Sequence, residues 1–311
     1  MIMIKYRKSM TRKYRVAFII LLCFITTFSQ HALSQSFTKL TGSEVTSDGG
    51  NSFFCGMNDY NNDGWLDIFV TNFVDENNFF YVNNGDGTFS KNRTSTIIRD
   101  GGNSISSTWG DYDNDGDLDL FVANRNQSNC LYRNEGNAEF TKVTNGLIVT
   151  EVTNSMGASW GDYDNDGHLD LFVATYGQNN ALYRNKGDGT FQKITQGNIV
   201  TDGGRSTCGA WADCDSDGFL DLYVTNWGQN NFFYHNNGDG TFTRIVDREL
   251  TNDNSSSIGC SWADYDNDGD LDLLVVNGFE DNFLCRNEGN GQFTRISSGP
   301  IIDDSGFSCS S

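Results

Sequence analysis

The chain has 311 residues, which is enough for one large domain or two ordinary ones, and its 37% of apolar residues can build a buried core. Its 41 acidic and 21 basic residues give a formal net charge of -20, which argues against nucleic acid and anionic membrane surfaces as partners because both would repel it. Cations are the expected partners instead. The 34 glycines and single proline favour tight turns between short strands over a helical bundle.

The N-terminus has the pattern of an export signal. Basic residues from Lys5 to Arg15 precede an apolar run at 16–28, and a small-residue cleavage pattern follows at 32–34. That run is too short for a comfortable transmembrane helix. We therefore predict a signal peptide over residues 1–34, secretion to the extracellular space, cell surface or periplasm, and no membrane span after cleavage. An uncleaved anchor is the alternative.

An acidic loop of the form D-x-[DN]-x-D-G-x-x-D occurs five times in the remaining chain, and each copy runs into an apolar strand. The first aspartates of the loops lie 52, 51, 51 and 51 residues apart. A fixed period of this size identifies a repeat protein and decides the architecture of the whole domain, which we place at residues 35–311.

The second repeat illustrates the elements of one period. A strand of small residues ends at Trp109, the acidic loop follows, and the next strand spans residues 118–123. Further strands are predicted around 131–133 and 140–143, and glycine-rich turns such as NNGDGTF at 83–89 join such pairs. The strand at 118–123 is apolar on both faces, so we expect it to be covered on both sides.

Four strands per period of about 51 residues, without a convincing helical stretch, predict an all-β fold, namely a β-propeller of four-stranded blades. Leucine-rich and ankyrin repeats are shorter and carry helices, and radial closure avoids the open edges of a flat stack. The five full repeats are flanked by FTKL at 37–40, matching a fourth strand, and by FSCSS at 307–311, matching a first strand. These pieces could pair to close a ring, but truncation from a larger propeller is the simpler interpretation.

The acidic loops predict about five calcium sites. Ca²⁺ takes six to eight oxygen ligands, which the side chains at loop positions one, three, five and nine and the backbone carbonyl at position seven can supply, while the glycine at position six permits the turn. The predicted ligands are Asp59, Asn61, Asp63, Trp65 and Asp67 in loop one; Asp111, Asp113, Asp115, Asp117 and Asp119 in loop two; Asp162, Asp164, Asp166, His168 and Asp170 in loop three; Asp213, Asp215, Asp217, Phe219 and Asp221 in loop four; and Asp264, Asp266, Asp268, Asp270 and Asp272 in loop five. The asparagine in loop one should weaken binding there.

Two other interpretations of the loops are weaker. An EF-hand loop begins in the same way but needs a glutamate at position twelve and flanking helices, whereas loop two has Val122 there. Asp, Asn and Gly also form polar turns without any metal. Five loops that hold 21 of the 41 acidic residues would, however, be electrostatically unfavourable without a cation.

The segments WGDYDNDGDLDLFVAN and NNALYRNKGDGTF resemble FG-GAP/VCBS-type repeats, relatives of the integrin α-chain propeller, over roughly residues 37–311. The resemblance implies a propeller, often of seven blades, with Ca²⁺ in hairpin loops and roles in adhesion or ligand recognition. The chain departs from the family in lacking a Gly-Ala-Pro element, since its only proline is Pro300. Integrin function itself is therefore not implied.

The remaining residues favour a binding module with an extracellular protein or carbohydrate ligand. No histidine of the chain has an evident nucleophilic partner, which argues against a catalytic triad; the three are His31, His168 and His235. The alternative functions are a polysaccharide-active enzyme on the propeller and a surface scaffold that is part of a larger protein. The tryptophan two residues before each of loops two to five is expected to be core. The variable connections between repeats, such as residues 144–155, are the expected ligand surface.

Seven cysteines follow the predicted signal, and five of them occupy positions where other repeats have Ser, Ala, Gly or Tyr, namely Cys55, Cys130, Cys214, Cys260 and Cys285. Such interchange is typical of packing positions, so buried free thiols are the favoured prediction and a disulfide is the alternative.

Overall fold

The computed structural model describes residues 41–136, 139–289, 291–299 and 302. The chain divides into a unit of Met1–Gly42 and a unit of Ser43–Ser311, and the fold of the second unit is described below. The predicted signal peptide and the flanking segments at 37–40 and 307–311 lie outside the described residues. Within the described part, no helix is long and apolar enough to cross a membrane.

Each of the five repeats folds into an antiparallel sheet of four strands that pair in chain order. Blade one contains β1 Ser52–Asn58, β2 Asp67–Asn72, β3 Phe79–Asn83 and β4 Phe89–Asn92; blade two contains β5 Ser104–Gly110, β6 Asp119–Ser128, β7 Cys130–Asn134 and β8 Phe140–Lys142; blade three contains β9 Val152–Gly161, β10 Asp170–Gln178, β11 Ala181–Asn185 and β12 Phe191–Ile194; blade four contains β13 Gly204–Ala212, β14 Asp221–Asn226, β15 Phe232–Asn236 and β16 Phe242–Ile245; and blade five contains β17 Ser257–Ala263, β18 Asp272–Asn277, β19 Phe283–Asn287 and β20 Phe293–Ile296. The prediction of four-stranded propeller blades is confirmed.

The first strands of consecutive blades pack side by side, which explains their small residues. A Cβ atom on Gly157 of β9 would lie 2.6 Å from the Thr207 carbonyl oxygen of β13, and one on Gly209 would lie 2.6 Å from the Phe172 ring. Packing of first strands runs from blade one to blade five in order. Blades one and five share no such packing among the described elements, so the row of blades is open.

The hydrophobic core lies between neighbouring blades. The cluster between blades two and three, for example, joins Phe121 and Leu131 to Leu171 and Val173. The repeated tryptophans pack against these clusters: the Trp160 ring stacks on Tyr112 with 6.1 Å between centroids and an interplanar angle of 9°. All four repeated tryptophans are half-buried and pack against the clusters, so the prediction that they serve packing is confirmed.

The connections between blades differ from the prediction because they contain short helical turns. Between blades one and five they are, in order, the 3-10 turn Thr96–Ile98, Leu147–Thr150, Asn198–Thr201 and Arg248–Thr251, and a further turn, Glu44–Ser47, precedes blade one. Ile148 and Val149 are buried in the second connection, as are Ile199 and Val200 in the third, and both pairs belong to the clusters between blades. The expected ligand surface is therefore core in its inner half, and only the outer half faces solvent.

The six described cysteines carry free thiols, as favoured, but the predicted burial is wrong for Cys55, which is exposed on the first strand of blade one, where no described blade precedes it. They are Cys55, Cys130, Cys208, Cys214, Cys260 and Cys285, of which all but Cys55 and Cys208 are buried. Cys23 and Cys309 lie outside the described residues.

Candidate metal centre

The five acidic loops share one backbone conformation, which the aspartate at position one holds in place. In loop two, Asp111 Oδ1 accepts a hydrogen bond from the Asp115 N–H at 3.0 Å, and Asp111 Oδ2 accepts one from the Gly116 N–H at 2.9 Å. Gly116 has φ +97° and Asn114 has φ +59°. The tight turn thus requires a left-handed backbone at positions four and six, where Asn and Gly are the favoured residues.

Carboxylates converge inside four of the loops. Oxygen atoms of positions one, three and five lie within 4.8 Å of one another in loops two, three and four, and those of positions one, three and nine do so in loop five. Loop one forms no such trio among the described residues, because Asn61 replaces the aspartate at position three. An asparagine side-chain oxygen can still bind Ca²⁺, so weaker binding at loop one stays a prediction.

Three carboxylate oxygens in these loops are buried without a hydrogen-bond partner. They are Oδ1 of Asp113, Oδ1 of Asp164 and Oδ2 of Asp67. An unpaired buried acceptor is costly, and a carboxylate oxygen is costlier still. A hard divalent cation would satisfy these atoms, so the residues present fit the predicted metal.

The aspartate at position nine is fully enclosed. Asp119 Oδ1 accepts a hydrogen bond from the Asn134 N–H at 2.8 Å, and Asp119 Oδ2 accepts one from the Tyr112 N–H at 3.0 Å. Burial raises the pKa of Asp119 to about 8 and that of Asp170 to about 7, because a buried carboxylate is poorly solvated when charged. Each oxygen retains a second lone pair, so its role as a metal ligand stays a prediction.

The residue at position seven of each loop makes contacts that the sequence did not predict. Its N–H donates to the aspartate at position five, as from Phe219 to Asp217 Oδ1 at 2.9 Å. Its side chain covers the glycine of the turn between the third and fourth strands: a Cβ on Gly238 would lie 2.8 Å from the Phe219 ring. The glycine at this turn position has a positive φ in every repeat, and in the repeats of Gly85, Gly187 and Gly238 the position-seven side chain also leaves no room for a Cβ. The backbone carbonyl of position seven as a metal ligand remains a prediction.

An asparagine at the end of each third strand was missed by sequence reasoning. Asn185 is fully buried, and its Nδ2 donates to the Tyr112 carbonyl of the preceding blade's loop at 2.7 Å and to the Leu169 carbonyl at 3.1 Å. Its Oδ1 accepts from the Gly187 N–H at 3.0 Å. The corresponding bonds to the preceding loop run from Asn134 to Tyr60, from Asn236 to Tyr163 and from Asn287 to Cys214. The signal was an N-x-G triplet at the same register in all five repeats.

The loops also contact one another directly. The asparagine at position four donates to the next blade's loop at position six: Asn114 Nδ2 lies 3.0 Å from the Gly167 carbonyl oxygen, and Asn165 Nδ2 lies 2.8 Å from that of Gly218. Asn62 makes the same bond to Gly116, at 3.4 Å. In loop four this position is Ser216, which is shorter. Loops one to four therefore form a hydrogen-bonded row along one rim of the blades, which we call the loop rim.

The model of a family described as FG-GAP-like repeat matches residues 59–122, 111–173, 162–224, 213–275 and 264–310. These five overlapping matches cover most of the chain. The chain belongs to the FG-GAP-like repeat family.

Curated relatives share between a quarter and a third of their aligned residues with this chain. Cartilage acidic protein 1 of Homo sapiens is 27% identical over 255 residues, which are 71% of this chain and 35% of that protein. The Xenopus tropicalis protein of the same name is 30% identical over 177 residues, covering 51% of this chain and 26% of its own length. The chain thus spans about a third of the length of the curated relatives it matches.

A solved structure shares the fold at low identity. It is an Agrocybe aegerita lectin described for its recognition of non-reducing terminal N-acetylglucosamine, with a TM-score of 0.59 and 19% identity over 88% of this chain and 72% of the lectin. This likeness concerns the fold alone.

The two described histidines both lie among the loops of the FG-GAP-like repeats. His168 Nδ1 lies 3.0 Å from Asn114 Nδ2 of the neighbouring loop. His235 Nδ1 lies 3.1 Å from Asp221 Oδ1 and 3.4 Å from Asp215 Oδ2. His31 lies outside the described residues. The histidines are therefore neighbours of the candidate metal ligands.

Proposed function

We propose that this FG-GAP-like chain is a secreted, calcium-stabilised binding module whose metal loops hold the blades together. The observation that carries the proposal is the combination, in one loop, of unpaired carboxylate oxygens and bonds to the next blade. In loop two, Asp113 Oδ1 is unpaired, while Tyr112 and Asn114 are bonded to Asn185 and Gly167 of blade three. A loop of fixed shape therefore stabilises two blades at once.

Calcium suits these loops better than a transition metal. The converging donors of loops two, three and five are carboxylate oxygens, and hard oxygen ligands favour Ca²⁺ over softer ions. Bound Ca²⁺ would supply a positive charge that neutralises neighbouring carboxylates and fixes the turn. We expect dissociation constants of about 10⁻⁴ to 10⁻³ M, which is typical of extracellular calcium modules.

We place the ligand on the opposite rim, where the connections between second and third strands and between blades lie. Phe279 is 68% exposed there, and its ring makes an edge contact with Trp227 at 5.9 Å between centroids. A groove between blades three and four is lined by polar residues, among them Asn179, Arg205 and Gln229. Aromatic and polar groups side by side suit a protein or a carbohydrate ligand. The lectin neighbour and the relatives named for cartilage make both ligand classes reasonable to test.

Removing calcium tests the scaffold part of the proposal. When free Ca²⁺ is at about ten times the dissociation constant of each of the five sites, binding stabilises the folded state by several kcal/mol in total. We expect chelation with EDTA to lower Tm by more than about 10 °C and to allow protease cleavage within the loops, and added Ca²⁺ to reverse both effects. An unchanged Tm and unchanged protease resistance would remove calcium from the proposal.

Ligand panels test the recognition part. The calcium-loaded protein would be screened against an array of immobilised glycans and against purified extracellular matrix proteins. Binding that is lost after substitution of Trp227 and Phe279, with Tm unchanged, is the expected result. Turnover of a polysaccharide in the same panel would instead favour the enzyme alternative.

A further inference from the structure

The residue just before each third-strand asparagine lies beside that repeat's own acidic loop, and its partners differ between repeats. The residues at this position are Val82, Arg133, Arg184, His235 and Arg286. Three of the five are arginines on equivalent strands. Their different partners therefore cannot be explained by the arginine side chain or the fold of the blade.

In repeats two and five, a glutamate two residues later holds the arginine. Arg133 Nε and Nη2 donate to Glu135 Oε1 at 2.9 and 2.6 Å. Arg286 makes the same two bonds to Glu288, also at 2.9 and 2.6 Å. Because this glutamate takes up the guanidinium, the loop carboxylates of these two repeats are left available for a cation.

Repeat three has Lys186 where repeats two and five have the glutamate. Its arginine instead lies on the acidic loop: Arg184 Nε is 2.5 Å from Asp164 Oδ2, and Nη2 is 2.9 Å from Asp166 Oδ2. These two carboxylates are the predicted ligands at positions three and five. The guanidinium thus occupies the same ligands that a calcium ion in this loop would use.

We propose that Arg184 is an internal competitor for calcium in loop three, and that the residue two positions after the arginine tunes the calcium affinity of the three repeats that carry this arginine. This inference rests on the proposed calcium role. Binding at loop three must first displace Arg184, whereas loops two and five bind without that cost. The arginine is 43% exposed, so water weakens the competing ion pairs. We therefore expect a difference of about three- to tenfold in the calcium concentration needed, the size of two surface ion pairs.

The experiment measures calcium binding loop by loop in the full chain. Hydrogen–deuterium exchange of peptides covering residues 111–119 and 162–170, followed over a calcium titration, gives a midpoint for loop two and one for loop three. We expect the loop-three midpoint to be higher in the wild type. Arg184→Gln should lower it about three- to tenfold without moving the loop-two midpoint.

Two reciprocal substitutions test the role of the second residue. Lys186→Glu gives repeat three the Arg-Asn-Glu sequence of repeat two and should lower the loop-three midpoint. Glu135→Lys gives repeat two the sequence of repeat three and should raise the loop-two midpoint. The double variant Arg184→Gln/Lys186→Glu distinguishes pairing with Arg184 from a general effect of charge on calcium binding. In this variant the glutamate should change the loop-three midpoint little further, because the arginine is absent.

The outcomes distinguish this inference from the proposed function. If calcium protects the loops but Arg184→Gln leaves the loop-three midpoint within twofold, the competition is wrong and the calcium role stands. The same holds if Lys186→Glu acts equally well without Arg184. If calcium changes the exchange of no loop, the calcium role is wrong and this inference fails with it.

Discussion

The two rims of the blade row hold neighbouring blades together by different means. On the loop rim the links are side chains that recur in the repeats, such as Asn185 to the Tyr112 carbonyl. On the opposite rim the links include backbone pairs, such as Arg125 with Asn154 and Tyr176 with Arg205, beside side-chain bonds such as that from the Val74 N–H to Asn103 Oδ1 at 3.0 Å. Backbone pairing requires no particular side chain. The linking side chains of the loop rim must therefore keep their identity, whereas exposed side chains of the opposite rim that make no such bonds can vary to suit a ligand.

The largest expected effect that tests the difference between the two rims is at a third-strand asparagine of the loop rim. Asn185→Ala leaves the buried carbonyls of Tyr112 and Leu169 without a donor, so we expect a loss of about 3–5 kcal/mol in the free energy of unfolding. Chemical denaturation with saturating Ca²⁺ measures it. The control is Asn237→Ala in an exposed turn, where the side chain bonds to Thr241 and Thr243 of the same hairpin and not to another blade. Equal effects of the two substitutions would contradict a special role for the loop rim.

This asparagine also marks the limit of what the sequence could predict. The loops and strands were predictable because they recur at a fixed spacing. Along each strand, apolar residues either alternate with polar ones or follow one another without a break, as at 118–123. Asn185 stands next to a glycine-rich turn and looks like an ordinary turn residue, although its partner Tyr112 lies 73 residues away. Likewise, the pairing of Arg184 with Asp164 rather than with a neighbouring side chain depends on packing in three dimensions.

The connections between blades give a prediction that separates their core positions from their surface positions. Ile199→Ala should cost about 2–4 kcal/mol, because its side chain is buried between blades three and four. Val246→Ser, at a side chain that is 84% exposed, should change stability by less than about 0.5 kcal/mol. Thermal and chemical unfolding of both variants measure the difference. The two-residue apolar pair was too short for a helical period to appear in the sequence, which is why this part of the core was missed.

The smallest expected effect concerns the one gap in the row of loops. Ser216 has φ +60°, a left-handed conformation that asparagine adopts more readily than serine, and the equivalent asparagines in loops one to three reach the next loop. Ser216→Asn should therefore donate to the Gly269 carbonyl of loop five and add about 0.5–1 kcal/mol to the free energy of unfolding. The reverse change, Asn165→Ser, should remove a similar amount by breaking the bond to Gly218. If the first substitution destabilises the protein while the second has no effect, the bonds between loops do not hold the blades, and the cohesion of this rim comes from the third-strand asparagines alone.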